Sequence, residues 1–179
     1  GHKTAERGRW VEAPGDAFMR TLFRSLPYAA IFAEDLGYIT ADVREVVAQY
    51  QLPCMRVLQF ALGGDPARNP HLPHNHIANA IVYTGTHDNN TARGWFDKEL
   101  NPAERRRLAS YLGHRVAGKD VAWELMRMAM ASVARLAIIP MQDVLGLGAS
   151  AQRNVVAAIV RDRYAGREMA RIMSFVMGV

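Results

Sequence analysis

The sequence predicts an α/β fold in which a mainly parallel sheet is covered by helices. Two observations carry this prediction. Short apolar runs alternate along the chain with segments that carry helix start and stop signals, and the runs are apolar throughout instead of alternating with polar residues. Strands that crossover helices cover on both faces show this continuous apolar pattern. The chain has 179 residues, half of them hydrophobic, and is therefore long enough to bury a core.

Four apolar runs are predicted to be strands, and they lie at 28–33, 55–60, 80–84 and 136–141. Helical signals surround them, at 14–26, 40–50, 91–112 and from 120 onward. The clearest helix start is the segment Asn101-Pro102-Ala103-Glu104. An asparagine cap, a proline in the first position and a glutamate three residues after the cap each favour a helix N-terminus. The proline-rich segment 63–73 is predicted to be an irregular loop.

Polar side chains gather at the carboxyl ends of the predicted strands. The members are Glu34, Asp35, Gln59, His87, Asp88, Gln142 and Asp143. Parallel α/β sheets and (β/α) barrels open their active sites at this edge, because the carboxyl ends of all parallel strands meet there. Acidic residues from two different strands are therefore expected to converge, although they are far apart in the sequence.

Glu34 and Asp88 are the candidate catalytic pair. Neighbours on a strand point to opposite sides, so only Glu34 is expected to face the site, while Asp35 is expected to hold a loop. Glu34 ends an apolar run, where a carboxyl group tends to stay protonated, whereas Asp88 lies beside His87 and two asparagines, which favour the ionised form. Two carboxyl groups in unlike surroundings are what glycoside chemistry requires. An isolated acidic pair is more often a cap or a salt-bridge partner.

Five segments of the chain, taken in order, resemble one enzyme family. They are AEDLGYIT, LPCMRVLQFALGG, NPHLPHNH, VYTGTHDNNTARGW and IPMQDVLGLG. They closely resemble the second half of the catalytic barrel of the amylomaltases, the 4-α-glucanotransferases also called disproportionating enzymes. KTAERGRWVEAPG near the start is similar to the same family. The resemblance covers residues 3–154 and implies a (β/α)8 TIM barrel of the α-amylase superfamily, present here as a partial barrel of about its last four strand–helix units.

The resemblance also implies an activity and a set of site residues. The family cuts an α-1,4-glucan, keeps one part as a covalent glycosyl-enzyme and transfers it to the 4-hydroxyl of another glucan or of glucose. By position, Glu34 matches the general acid/base, and Asp88 matches the acid that stabilises the transition state. The residues that match substrate contacts are His87, Phe60, His74 and Asn154. Plain structural alternatives stay open: Phe60 as core, His87 as a loop-orienting histidine, and Asn154 as a turn residue.

The nucleophile of the family has no counterpart in the chain. It is an aspartate in an Arg-Ile-Asp-His-Phe-Arg-Gly segment that precedes the matched part, and this segment does not occur here. We therefore expect the chain to begin after that segment and to be inactive by itself, because a retaining mechanism needs both carboxylates. The alternative is a catalytically inactive relative that at most binds glucans or assembles with another protein. A partial barrel is also expected to self-associate through its exposed strand edges.

The resemblance ends before the last part of the chain, and the sequence divides into a catalytic part, 1–154, and a tail, 155–179. The tail is predicted to be helical, as a divergent last helix, or to be an unrelated end. Residues 153–179 carry five basic and two acidic side chains, so more than half of the net charge of +5 lies there. Nucleic acid is therefore not an expected partner. No apolar run has the roughly 18 residues of a membrane span, so a membrane is not expected either.

The remaining reactive side chains give weaker signals. His71, His74 and His76 lie close together, which resembles metal ligation, but their spacing matches no catalytic zinc frame and prolines interrupt the segment. We therefore expect no metal and no cofactor, and we favour the glucan cleft for His74. Cys54 is the single cysteine and is predicted to be buried packing, which fits a reducing, cytoplasmic location.

Overall fold

The structure is a computed structural model that describes residues 11, 13–37, 39–148 and 159–162. Its centre is a four-stranded sheet in the order β1-β2-β3-β4. The strands are β1, Cys54–Val57; β2, Ala80–Tyr83; β3, Leu136–Ile139; and β4, Ile159–Asp162. The first three strands are parallel and β4 is antiparallel to β3. The predicted parallel sheet is therefore confirmed for these three strands.

β1 and β3 are shorter than the sequence predicts because each ends where a helical turn begins. After β1 a short 3₁₀ helix runs from Leu58–Phe60, so Gln59 leaves the sheet. After β3, Pro140 caps the short helix α6, Met141–Val144. Proline has no N–H for the sheet ladder, which stops the strand at this point. The register pairs Val57 with Tyr83 and Tyr83 with Ile138, so the three strand ends lie side by side.

The strand predicted at 28–33 does not form in the described structure. This segment lies beside β1, but its one described backbone hydrogen bond to the sheet side runs from the Ala33 N–H to the Pro53 carbonyl, at 3.0 Å, while the Ala29 N–H bonds locally to the Leu26 carbonyl at 3.1 Å. Tyr28 is 94% exposed, so the apolar character of the run is not matched by burial at its start. Phe32 and Leu36 pack against the sheet as partly buried side chains. Local hydrophobicity thus marks the position of the segment at the sheet edge but not a strand.

Five further helices surround the sheet. They are α1, Gly15–Ser25; α2, Ala41–Gln49; α3, Ala92–Lys98; α4, Pro102–Leu112; and α5, Val121–Ala131. The predicted start of α4 is confirmed, because the Asn101 side chain accepts hydrogen bonds from the Ala103 and Glu104 N–H groups, and the Glu104 carboxylate in turn accepts one from the Asn101 N–H. This reciprocal cap satisfies backbone donors that a helix start leaves free.

The sheet has two buried faces. One face, with Val82 and Ala137, packs against the helices through side chains such as Trp95 and Leu125. The other face carries the alternate residues of the same strands, which are Met55, Val57, Ile81, Tyr83, Leu136 and Ile138. Alternate residues of a strand point to opposite faces, so this division follows from the strand positions. The second face forms the floor of the cleft described below.

Residues 159–162 lie in the tail that the sequence predicts to be helical, and the structure makes them a strand instead. Ile159 and Val160 are β-branched, which favours an extended backbone beside β3. Within the described ranges, no helix combines the length and the apolar character that crossing a bilayer requires.

Candidate active site

An open cleft of about 1270 Å³ lies at the carboxyl ends of β1, β2 and β3. Its floor is apolar and includes Met55, Tyr83 and Ile138, one residue from each parallel strand. Its rim is polar, and the residues that supply it are Glu34, Thr86, His87, Asp88, Asn89, Asn90 and Gln142. The cleft therefore brings together Glu34, from the segment beside β1, and Asp88, from the loop after β2, at the edge where the carboxyl ends of the parallel strands meet.

Asp35 fixes the segment that carries Glu34. One carboxylate oxygen, Oδ1, accepts a hydrogen bond of 2.6 Å from the Met55 N–H. The other, Oδ2, lies 3.3 Å from Nη1 of Arg56, which is itself largely buried. The structure thus confirms that Asp35 holds a loop, and its neighbour Glu34 is left to line the cleft. Both partners of Asp35 belong to β1, so the segment is tied to the sheet at this point.

Glu34 is exposed at the cleft rim, which differs from the apolar surroundings that the sequence predicts for it. The difference arises because residues 28–33 do not form a strand within the sheet and the cleft is open on this side. The carboxylate of Glu34 nevertheless affects the pKa of Tyr83 on the cleft floor. Burial raises the pKa of Tyr83 to about 12, and the negative charge of Glu34 adds to that rise.

Loop 85–91 carries His87 and Asp88 into the cleft. The two side chains are 71% and 78% exposed, and Nε2 of His87 lies 3.3 Å from Oδ1 of Asp88. Beneath them, Asn89 Oδ1 accepts hydrogen bonds from Thr86 N–H and Thr86 Oγ1, at 2.9 Å and 2.8 Å. The Asp88 N–H in turn donates to Thr86 Oγ1 at 3.3 Å. This turn shapes the tip of the loop and leaves the side chains of His87 and Asp88 exposed to the cleft.

The ends of loop 85–91 are held by side chains from the neighbouring strand ends. Asp143 accepts hydrogen bonds from the Thr84 hydroxyl at 2.6 Å and from the Ala92 N–H at 2.7 Å. Gln59 donates through Nε2 to the Asn90 carbonyl at 2.8 Å. Asp143 is only 2% exposed. Burial raises the pKa of Asp143, and the hydrogen bonds from Thr84 and Ala92 oppose that rise.

The predicted substrate contacts have different placements. Phe60 is 41% exposed and lines the cleft, so it is not a core residue, and its ring meets the edge of His71 at a centroid distance of 5.5 Å. His74 is not among the side chains that line the cleft. Its Nδ1 lies 3.1 Å from the hydroxyl of Tyr111 on α4. Asn154 lies outside the described residues.

The three clustered histidines each serve a separate local bond. His71 Nδ1 accepts a hydrogen bond from the Val57 N–H at 3.0 Å, and His76 Nδ1 lies 2.7 Å from the Ser132 hydroxyl. Burial, helped by the positive charge of Arg56, lowers the pKa of His71 to about 4. In the part of the chain that the structure describes, no three His, Cys, Asp or Glu side chains converge as metal ligands would. Cys54 is buried and free, and burial raises the pKa of its thiol.

The sequence analysis did not identify Tyr83 as a residue of the cleft floor, and it gave no specific role to Gln59 or Asp143. The signal for Tyr83 was the strand period, because Tyr83 lies two residues after Ile81 and so shares its face. No sequence signal pairs Asp143 with Thr84 and Ala92, since such a pairing depends on the packing of two strand ends.

Comparison with known proteins places these features in a family. The sequence profile described as 4-alpha-glucanotransferase matches residues 1–162. The chloroplastic/amyloplastic 4-alpha-glucanotransferase of Arabidopsis thaliana is 48% identical over 159 residues, which are 88% of this chain and 27% of that protein. The 4-alpha-glucanotransferase of Thermus thermophilus is 44% identical over 157 residues, which are 84% of this chain and 31% of that protein. The chain therefore spans less than a third of the length of these relatives.

A solved structure is also similar. It is an amylomaltase from Streptococcus agalactiae in complex with acarbose, with a TM-score of 0.77 and 26% sequence identity, and the match covers 98% of this chain and 37% of that chain. This likeness indicates a TIM-barrel-like glycoside hydrolase fold, of which the described residues show three parallel strands.

Proposed function

Since the chain belongs to the 4-alpha-glucanotransferase family, we propose that it supplies part of the active site of an enzyme that transfers a segment of an α-1,4-glucan to the 4-hydroxyl of another glucan or of glucose. The observation that carries this proposal is the meeting of Glu34 and Asp88 in one cleft. We also propose that the parallel sheet is a portion of a (β/α)8 barrel, completed by strands from another part of the protein.

In this proposal Glu34 is the general acid/base. It protonates the glycosidic oxygen as the bond to the leaving glucan breaks, and it later removes a proton from the 4-hydroxyl of the acceptor. Its position at an open rim supports this role, because the leaving glucan and the acceptor must exchange at the same place. Asp35 ties the segment to β1, which keeps the carboxyl group of Glu34 beside the cleft during the exchange.

Asp88 stabilises the positive charge that develops on the sugar ring in the transition state. A carboxylate next to an oxocarbenium-like ring lowers the barrier by electrostatic attraction. Asp88 and its neighbour His87 protrude from a loop whose tip is shaped by Thr86 and Asn89. Both side chains are therefore placed to accept or donate hydrogen bonds to sugar hydroxyls.

The mechanism requires a nucleophilic carboxylate about 5–5.5 Å from the acid/base. We propose that another part of the protein provides it, because no residue of this chain matches the family's nucleophile. The exposed ring of Phe60 and the apolar floor suit contact with the flat faces of glucose units, which are less polar than the ring edges. The contributions of His74 and Asn154 are kept as proposals that rest on the sequence resemblance.

The compartment is proposed from the chemistry of the cysteine. Cys54 is a free buried thiol, which fits a reducing compartment such as the cytoplasm. The name of the Arabidopsis thaliana relative places that protein in plastids, so fractionation of cells that express the protein decides between the two.

The test is disproportionation of maltotriose by the whole protein that contains this chain, followed as glucose release and as longer maltodextrins. Glu34→Gln and Asp88→Asn are each expected to lower the rate by at least about 100-fold, the lower range for loss of a positioned acid/base or charge. The matched controls are Glu45→Gln on α2 and Asp97→Asn on α3, both exposed and away from the cleft. Equal activity of the site variants and their controls would refute the proposal.

A further inference from the structure

We propose that Asp143 is a positioning residue that clamps loop 85–91, and thereby fixes where Asp88 meets the substrate. The inference rests on the proposed function for the role of Asp88. Asp143 bonds to Thr84, the residue before the loop, and to Ala92, the residue after it. One carboxylate therefore joins both ends of the loop to α6, and α6 directly follows the neighbouring strand β3.

The environment of Asp143 is that of a clamp and not of a substrate contact. Its side chain borders the cleft, but the residue is only 2% exposed. Each of its two oxygens already accepts a short hydrogen bond, one from the Thr84 hydroxyl and one from the Ala92 N–H. A buried carboxyl group is unfavourable unless it is well bonded, so its presence here requires these two partners.

The loop itself cannot set its own position on the sheet. The bonds between Thr86, Asn89 and the Asp88 N–H shape the tip but connect only residues of the loop. Connections to the rest of the molecule are needed at its ends. Asp143 provides them from the β3 side, and Gln59 provides one from the β1 side by donating to the Asn90 carbonyl.

The consequence for the reaction follows from geometry. His87 and Asp88 are largely exposed and have no other described hydrogen bonds from their side chains to the body of the protein. Their distance from a bound sugar is then set by the ends of the loop. A displacement of about 1 Å at a reacting group is enough to lower a rate about 100-fold. Loss of the clamp should therefore reduce kcat more than it weakens substrate binding.

The experiment uses the whole protein that contains this chain. Four variants are compared: Asp143→Ala removes both bonds, Thr84→Val removes the hydroxyl bond with little change of volume, Thr84→Ser restores the hydroxyl, and Asp143→Asn keeps an oxygen for the Ala92 N–H. The measurements are kcat and KM for maltotriose, and amide hydrogen exchange of peptides that cover 84–92, with helix α4 as the internal reference.

We expect Asp143→Ala to lower kcat by about 10- to 100-fold with KM changed less than about threefold. Thr84→Val should show a smaller loss that Thr84→Ser restores, and Asp143→Asn should stay within about tenfold of the parent, since one bond is kept. Exchange should increase in 84–92 and stay unchanged in α4. If Asp143→Ala does not fold, the comparison of Thr84→Val with Thr84→Ser tests the same inference.

Two results would overturn the inference: kcat unchanged in Asp143→Ala and Thr84→Val, or a loss of kcat that accompanies faster exchange equally in α4, as general destabilisation would cause. Asp88→Asn in the same assay separates this failure from failure of the proposed function. An inactive Asp88→Asn with fully active Asp143 variants contradicts only the clamp. A fully active Asp88→Asn contradicts the proposed function, whereas exchange in 84–92 still shows whether Asp143 holds the loop.

Discussion

Glu34 and Asp88 reach the same cleft from two segments that the chain holds by different means. Loop 85–91 has its own internal turn and is tied to both neighbouring strand ends, through Asp143 and Gln59. Within the described residues, the segment that carries Glu34 is tied to the sheet on the β1 side, through Asp35 and the bond from Ala33 to Pro53. In the part of the chain that the structure describes, the loop of Asp88 is therefore anchored at two strand ends, whereas the segment of Glu34 is anchored at one.

The largest loss of stability is expected for Asp35, which anchors the segment that carries Glu34. In Asp35→Ala the Met55 N–H loses its acceptor and the guanidinium of Arg56 loses its carboxylate. Since a charged hydrogen-bond partner is removed, the free energy of unfolding should fall by about 2–3 kcal/mol. Urea denaturation followed by circular dichroism measures it. The control is Asp65→Ala, whose carboxylate is exposed and should contribute less than about 1 kcal/mol. Equal losses in both variants would show that Asp35 is not the anchor of the Glu34 segment.

A smaller effect is expected for the loop with several anchors. A Cβ at Gly85 would lie 2.5 Å from Nε2 of Gln59, too close for any non-bonded contact. Gln59 must then move away from the Asn90 carbonyl, and we expect Gly85→Ala to lower the free energy of unfolding by about 2 kcal/mol. Gly63→Ala is the matched control, because no atom lies within 4 Å of its Cβ position. A fully stable Gly85→Ala would mean that the Gln59 anchor is dispensable.

Lowering the pH should destabilise the fold through His71, at the end of β1. His71 binds the Val57 N–H at the end of β1, and its pKa is lowered to about 4. Between pH 6.5 and 4 the unfolded chain binds a proton at this residue and the folded chain does not, so stability falls as the pH falls through this range. Allowing for solvent screening, the loss is about 1–2 kcal/mol. His76 contributes with the same sign, because burial lowers its pKa as well.

The measurement is urea denaturation at a series of pH values between 7 and 4. His71→Asn keeps an oxygen for the Val57 N–H and cannot titrate, so its stability should depend less on pH. His114→Asn, at an exposed position near Glu124, serves as the control and should keep the parent's dependence on pH. Stability that is independent of pH in the parent protein would contradict the neutral state of His71.

The smallest effect is expected outside both segments. Asn101→Ala removes the capping oxygen of α4, and the free energy of unfolding should fall by about 1 kcal/mol. Asn101→Asp keeps a capping oxygen and should be close to the parent. Maltotriose turnover by the whole protein should be unchanged in both variants at a temperature where they are folded. A loss of activity in Asn101→Ala would show that α4 influences the cleft.

The sequence was sufficient to predict three parallel strands and the edge at which the polar residues meet. This was possible because strand burial is encoded locally, in continuous apolar runs such as 80–84, and because helices predicted between such runs indicate parallel neighbours. It also predicted that Asp35 and Glu34 divide their roles, which follows from the alternation of side chains along an extended backbone.

The remaining features depend on tertiary packing. Residues 28–33 have the composition of a strand. Whether they pair with a neighbouring strand depends on both segments, so the composition of one segment alone does not decide it. The same holds for His74, whose contact with Tyr111 places it beside α4 and away from the cleft lining. The hydrogen bonds from Thr84 and Ala92 to Asp143 join residues that are far apart in sequence, so no local sequence pattern predicts them.

The central claim is that Glu34 acts on the leaving group while Asp88 acts on the sugar ring. The most direct test compares two substrates in the whole protein, maltotriose and α-maltosyl fluoride, because fluoride leaves without being protonated. Glu34→Gln should lose about 100- to 10,000-fold on maltotriose but less than about tenfold in the first-turnover release of fluoride. Asp88→Asn should lose similar factors on both substrates, because its role does not involve the leaving group. Equal losses on both substrates for Glu34→Gln would contradict the account.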